Sequence, residues 1–379
     1  MSKKMFQTYE VGSLAKQNWR LKGFTGAKIT DADIVEAVFW GKKLDIDYSP
    51  LIKILKNNTA SLKQDIVNWS ALYAIRMFEK LGIDWIYTGE QWREEMYAHV
   101  IKNLGGFNFT GWIKSFDYRY FRKATVVDEI FYKNSYYLDE FNYTKTITNS
   151  NLKVPVTGPY TLMDWSFNEF YDEKNHNIKN LRERKLTARR EFILDIVDKA
   201  LRPEFDRLVD SGAKWIQIDE PAITTHPSPE EMDMFVEAWN RLVSGYDCIF
   251  SLHNCFSDYH LLAKHVPYLK NCNQLSLEFA NRDNKELGDV RPAYDDLKVF
   301  EDCGYKGGYA PGFVSVHTDD VASDFVIHDR IMYVADIVGV ERVWVSPDCG
   351  LRTRSWEKSY EKLAEMVHGA LLARRTYEN

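Results

Sequence analysis

Eight short apolar runs, each closing on polar residues, alternate with amphipathic stretches along nearly the whole chain. The runs lie at 8–14, 83–90, 154–160, 214–221, 248–255, 274–279, 307–314 and 342–349. Their length and β-branched or aromatic content read as buried strands. Helical periodicity begins at Asp31, a candidate N-cap, and near Gln91. It recurs at about 61–81, 182–211, 229–244, 293–303, 320–338 and 355–376. Strand–helix units repeated eight times predict an α/β chain folded as a (β/α)8 TIM barrel. The stretch 105–150 breaks the alternation. Strand-like segments at 112–121 and 124–132 there predict a β-hairpin insertion after the second strand. No long linker or repeat divides the chain, so residues 1–379 are expected to form one catalytic domain.

In such a barrel the chemistry sits at the carboxyl ends of the strands. Ser13, Glu90, Asp219, His253, Cys255, Glu278 and Cys349 all fall there. Any one of them could be a turn former. On six strands at once, they point to a site.

His253 and Cys255 are two apart on one strand and so share a face. By itself that pair also fits a hydrogen-bonded core histidine beside a small buried thiol. Glu278 and Cys349, ending two other strands, complete a candidate set of two thiolates, one imidazole and one carboxylate, which suits zinc. Cys248, Cys272 and Cys303 lie at strand starts or a helix end and are poorer candidates. Three anionic ligands make a weak site for activating water and a good one for holding a nucleophilic thiolate.

Composition narrows the partners. A net charge of −6 gives no electrostatic footprint for nucleic acid. No apolar run is long enough for a membrane span, and the N-terminus lacks a signal-peptide core, so a cytoplasmic protein is expected. Five cysteines, an odd number in a long chain, argue against a disulfide framework.

Several motifs then stand in one order: Val-Gly-Ser at 11–13, Thr-Gly-Glu at 88–90, Thr-Gly-Pro-Tyr-Thr-Leu-Met-Asp-Trp-Ser at 157–166 and Ile-Gln-Ile-Asp-Glu-Pro-Ala at 216–222. His-Asn-Cys at 253–255, Glu278, His317 and Ser-Pro-Asp-Cys-Gly-Leu-Arg-Thr-Arg at 346–354 follow. With these motifs the chain resembles the C-terminal catalytic half of the cobalamin-independent methionine synthase family, in a short core form. The resemblance implies zinc held by His253, Cys255, Glu278 and Cys349. It implies that Val11, Gly12, Ser13, Glu90 and Asp219 bind the amino-acid end of homocysteine. Two carboxylates suit an α-ammonium, and a turn with a hydroxyl suits an α-carboxylate. His317 falls at the family's proton donor, although a polar loop histidine would look the same. Arg119 and Trp165 match the methyl-donor side, and Tyr120, after Arg119 in the place of a family cysteine, is expected there with them.

Two departures bear on that donor. Thr224-Thr225 stands where the family has Arg-Glu, and Lys123-Ala124 where it has Pro-Pro. The expected donors are a methyl-folate, a methylcorrinoid (free or carried by a corrinoid protein) or another methyl carrier. The rival readings are a zinc transferase acting on another small thiol, a metal-independent barrel lyase or decarboxylase, and a zinc-storage protein.

Overall fold

A computed structural model describes residues 4–57, 62–114, 120–225, 228–255 and 258–378. Its strands in chain order are β1 (Trp85–Ile86), β2 (Leu104–Lys114), β3 (Tyr120–Tyr132), β4 (Asn151–Leu152), β5 (Val154–Thr157), β6 (Phe167–Asn168), β7 (Trp215–Asp219), β8 (Ile249–His253), β9 (Cys272–Ser276) and β10 (Gly308–Ala310). Five of them form a parallel sheet in the order β10-β9-β8-β7-β5. Single parallel bridges continue the pairing: Tyr309 with Val343, Thr8 with Val345, and Tyr9 with Trp85. β1 then pairs in parallel with β4.

Alternation along the strands sorts the side chains into two faces. Ile216, Ile218, Phe250, Leu252 and Leu275 join the main core beneath the helices. Each such buried side chain contributes on the order of 2 kcal/mol. The opposite face is layered. At its amino end Trp215 packs against Trp85 and Trp344, both 5.0 Å away, and Tyr9, 5.2 Å away. Gln217, Ser251 and Gln274 make a buried polar layer above. Asp219 and His253, paired in register, finish the strands.

The elements differ from expectation where distant or local hydrogen bonds decide. Thr30, not Asp31, caps helix Asp31–Lys43: its N–H donates to Asp33 Oδ2 at 2.6 Å, part of a capping box. The helix expected near Gln91 starts at Met96, because the Glu95 carboxylate accepts the N–H groups of Tyr97 and Ala98, each at 2.9 Å. The strand expected to reach Glu90 stops at Ile86; Gly89 and Glu90 turn the chain with φ of 61° and 55°. β9 starts two residues and ends three residues earlier than expected, which leaves Glu278 beyond the strand. In 105–150, β2 pairs antiparallel with β3, so Tyr120 and Phe121 belong to the second arm. Residues Leu138–Ile147 are helical, started by Glu204 Oε1, which accepts from the N–H groups of Tyr136, Tyr137 and Leu138 at 2.6–3.1 Å. The long helix of 182–211 opens into a π-helical turn at Val197–Leu201, ahead of Pro203, which has no N–H to donate. No helix among the described residues is long and apolar enough to cross a membrane.

Candidate active site

His253, Cys255 and Cys349 bring one ligand atom each within 4.8 Å of the others. β8 delivers His253, the next two residues deliver Cys255, and the turn after 346–348 delivers Cys349. Asn254 locks the end of β8: its N–H donates to Ser276 O at 3.0 Å and its Nδ2 to Glu220 O at 2.7 Å. His253 Nδ1 lies 3.1 Å from Ser276 Oγ, which orients the ring. Its Nε2 is buried and has no hydrogen-bond partner among the described residues. The two sulfurs are 3.6 Å apart. Their interaction holds the Cys349 thiol well below its usual range, helped by His253, and pushes Cys255 up, helped by burial.

Glu278 is not in that cluster. Its Oε1 faces His317 Nε2 at 3.0 Å and accepts from Asn281 Nδ2 at 3.3 Å. Its Oε2 is buried with no hydrogen-bond partner among the described residues. Two side chains hold its loop. Tyr259 Oη accepts the Glu278 N–H at 2.9 Å and donates to Asn254 O at 3.1 Å. Asp348, the residue before Cys349, accepts the N–H groups of Phe279, Ala280 and Asn281 at 2.7–3.0 Å. Burial, and then the Glu278 charge, raise the Asp348 pKa against the pull of those three donors.

The cluster opens on a cavity of about 510 Å³ that Val11, Gly12, Ser13, Glu90 and Asp219 also line. The turn at 11–13 is anchored to the Glu90 segment by Leu14 N–H donating to Gly89 O at 3.0 Å. A Cβ on Gly12 would lie 3.0 Å from Glu90 Oε1, a close contact that the Glu90 carboxylate would have to move to relieve. Glu90 itself holds a left-handed φ of 55°, a conformation uncommon for a non-glycine residue. Asp219 Oδ1 accepts from Gln217 Nε2 at 2.7 Å. Burial raises the Asp219 pKa to about 7, with His253 and Lys153 pulling down and Glu90 pushing up.

On the far side Tyr120, Phe121 and Trp165 form an aromatic wall. The rings of Phe121 and Trp165 are 5.1 Å apart. Tyr120 is 63% exposed, at the outer rim. Arg119 lies outside the described residues. Thr225 Oγ1 donates to Ala222 O at 2.7 Å. Lys123 sits 4.1 Å over the Phe167 ring, in β3 rather than in a turn.

Sequence reasoning assigned no role to Phe121, Glu95, Arg352 or Arg354, which also line the cavity. The two arginines follow Cys349 by three and five residues, in a motif already singled out. Phe121 is found only once β2 and β3 are in register.

Parallel strands with a thiol–imidazole cluster at their carboxyl ends, beside a cavity, define an α/β protein with a site able to hold a soft metal ion. The sequence model of the family "Cobalamin-independent synthase, Catalytic domain" matches residues 51–371. The methionine synthase of Thermoplasma volcanium is 37% identical over 314 residues, covering 80% of this chain and 88% of that protein. That of Thermoplasma acidophilum is 40% identical over 313 residues, covering 77% and 85%. This chain belongs to the cobalamin-independent synthase family and carries its catalytic domain. A B12-independent methionine synthase from Shewanella sp. W3-18-1, solved in complex with selenomethionine, shares the fold with a TM-score of 0.73 at 18% identity over 99% of each chain.

Proposed function

We propose that this chain is a zinc-dependent methyltransferase that moves a methyl group onto the thiol of L-homocysteine, forming L-methionine. The observation that carries the reading is the His253–Cys255–Cys349 cluster facing the same cavity as Glu90 and Asp219. The named activity of the relatives supports it.

The residues fit zinc. Two thiols and an imidazole converge, and the buried His253 Nε2 has no other hydrogen-bond partner among the described residues. Glu278, whose buried Oε2 is likewise without a partner, would be the fourth donor. When bound, zinc acidifies a coordinated thiol and keeps it as a thiolate at neutral pH.

The chain's own residues do the rest. Glu90 and Asp219 take the substrate ammonium, and Ser13 with the turn at 11–13 takes the carboxylate. This fixes the thiol beside the cluster, so binding supplies much of the rate by orientation. His317, held by Glu278, keeps a proton next to the reacting groups; its pKa is raised by that bond against burial. One amino acid does not fill about 510 Å³. The space bounded by Tyr120, Phe121 and Trp165 is assigned to the methyl donor, with Arg119 nearby in sequence. Between the donors expected above, a methylcorrinoid and a corrinoid-protein partner draw no support from the comparisons. The matched family and structure are named cobalamin- and B12-independent.

The bridges from Tyr309 through Val343–Val345, Thr8–Tyr9, β1 and β4 to β5 support a closed (β/α)8 TIM barrel. β2 and β3 would be a hairpin insertion after the second strand of one catalytic domain, working in the cytoplasm.

The test is methionine formation by the purified zinc-loaded chain from L-homocysteine with 5-methyltetrahydrofolate and with methylcobalamin, read by mass spectrometry. Zinc near one per chain and methionine from either donor is the expected result. No methionine from either donor would reject the reading.

A further inference from the structure

Beneath the cavity floor a lysine is buried with no solvent exposure, and its hydrogen bonds lead to the Asp219 carboxylate. Lys153 Nζ donates to Val11 O and to Gln217 Oε1, each at 2.7 Å. Gln217 Nε2 donates to Val11 O at 2.8 Å and to Asp219 Oδ1 at 2.7 Å. Lys153 and Gln217 are both fully buried.

The chemistry allows one arrangement. An ammonium has only donors, so it must meet the amide oxygen of Gln217. The amide nitrogen is then turned to Asp219 and Val11, and both its hydrogens are used. A flipped amide would set an oxygen against a carboxylate and a carbonyl, and leave Lys153 facing an NH2 group. The orientation of Gln217 is therefore imposed by Lys153. Glu10, buried one residue before Val11 with neither carboxylate oxygen hydrogen-bonded among the described residues, supplies a counter-charge for Lys153.

We propose that Lys153 is a positioning residue for the substrate's amino group: through Gln217 it holds Asp219 as the acceptor for the ammonium of homocysteine. This rests on the assignment of Asp219 in the proposed function. Lys153 and Gln217 also hold Val11 O, in the turn assigned to the substrate carboxylate, so the role is read in the difference between ligands with and without the amino group.

Two ligands separate the possibilities. L-Homocysteine carries thiol, carboxylate and ammonium. 4-Sulfanylbutanoate keeps the first two and lacks the amino group. Isothermal titration of the zinc-loaded full chain with each, in Lys153→Met, Gln217→Met and Asp219→Asn variants, reads the amino-group contribution directly. Lys153→Met and Gln217→Met are each expected to weaken homocysteine about tenfold more than 4-sulfanylbutanoate, the scale of one lost charge-assisted hydrogen bond. Equal weakening of both ligands, or of neither, overturns the proposal. Asp219→Asn distinguishes the two failures. If it leaves the preference for homocysteine intact, the substrate assignment fails and the proposal with it. If it abolishes the preference while the other two variants keep it, the proposal alone fails. Should Lys153→Met not fold with Glu10 left uncompensated, the pair Lys153→Met with Glu10→Gln, and Gln217→Met alone, carry the same reading.

Discussion

His317 Nε2 lies 3.0 Å from Glu278 Oε1, so the Glu278 carboxylate is paired with an imidazole rather than grouped with the sulfurs. The bond, on a histidine 31% exposed, sets a polar hydrogen at the edge of the cavity.

The first prediction concerns that pair. His317→Asn should keep zinc and bind homocysteine within a few-fold of the parent. Methionine formation should fall about 100-fold, the scale of one positioned proton donor. Single-turnover rates measured beside homocysteine titrations make the check; an unchanged rate would remove His317 from the chemistry.

Metal content gives the second. Cys255→Ser and Cys349→Ser each replace a thiolate with a hydroxyl that does not ionise, and should lose most bound zinc. Ser276→Ala only frees the ring of His253, 3.1 Å from the Ser276 hydroxyl, and should weaken zinc roughly tenfold without abolishing it. Elemental analysis after competition with a chelator reads both. Full retention in the two serine variants rejects the site.

Acidity and stability are linked at Glu10. Burial raises its pKa to about 7, opposed by Lys153. The native state thus holds the proton more tightly than the unfolded chain does. The stability this contributes is complete below the unfolded pKa and is lost as pH rises through about 7. The span corresponds to on the order of 3 kcal/mol. Glu10→Gln, which cannot ionise, should flatten the fall of stability between pH 5 and 8 relative to the parent. Denaturant midpoints across that range decide it, and parallel curves for the two proteins would contradict it.

The donor side yields the fourth. Trp165, packed 5.1 Å from Phe121, offers a ring face to a flat donor. Trp165→Ala should raise the KM for whichever of 5-methyltetrahydrofolate or methylcobalamin supports turnover about tenfold, consistent with the loss of about 1.5 kcal/mol of aromatic contact. Homocysteine affinity should stay put. A shift in homocysteine affinity instead would move Trp165 to the other substrate.

Much of this was legible because the strands are short, buried and punctuated. Ile216 to Asp219 alternate apolar and polar in a way that names both faces at once. His253 and Cys255 share a face by the same rule. Other features turn on long-range contacts that no local pattern encodes. The helix at Leu138–Ile147 starts where Glu204, 66 residues further on, meets its N–H groups. Glu278 read as a strand end, yet β9 stops at Ser276 and the carboxylate turns to His317, 39 residues away. Asp348 was visible as part of a motif, but its grip on residues 279–281 depends on two loops meeting.

The tryptophan packing at the amino end of the strands has a kinetic meaning. Trp215, with Tyr9, Trp85 and Trp344 against it, fills the amino end of the face that carries Asp219 and His253. The cavity opens instead on the side where Tyr120 is exposed and His253 is buried. On the proposed assignment, with the amino acid at Glu90 and Asp219 and the donor at Phe121 and Trp165, one doorway sets a queue in which homocysteine enters before the donor; product-inhibition patterns that show random order would contradict it.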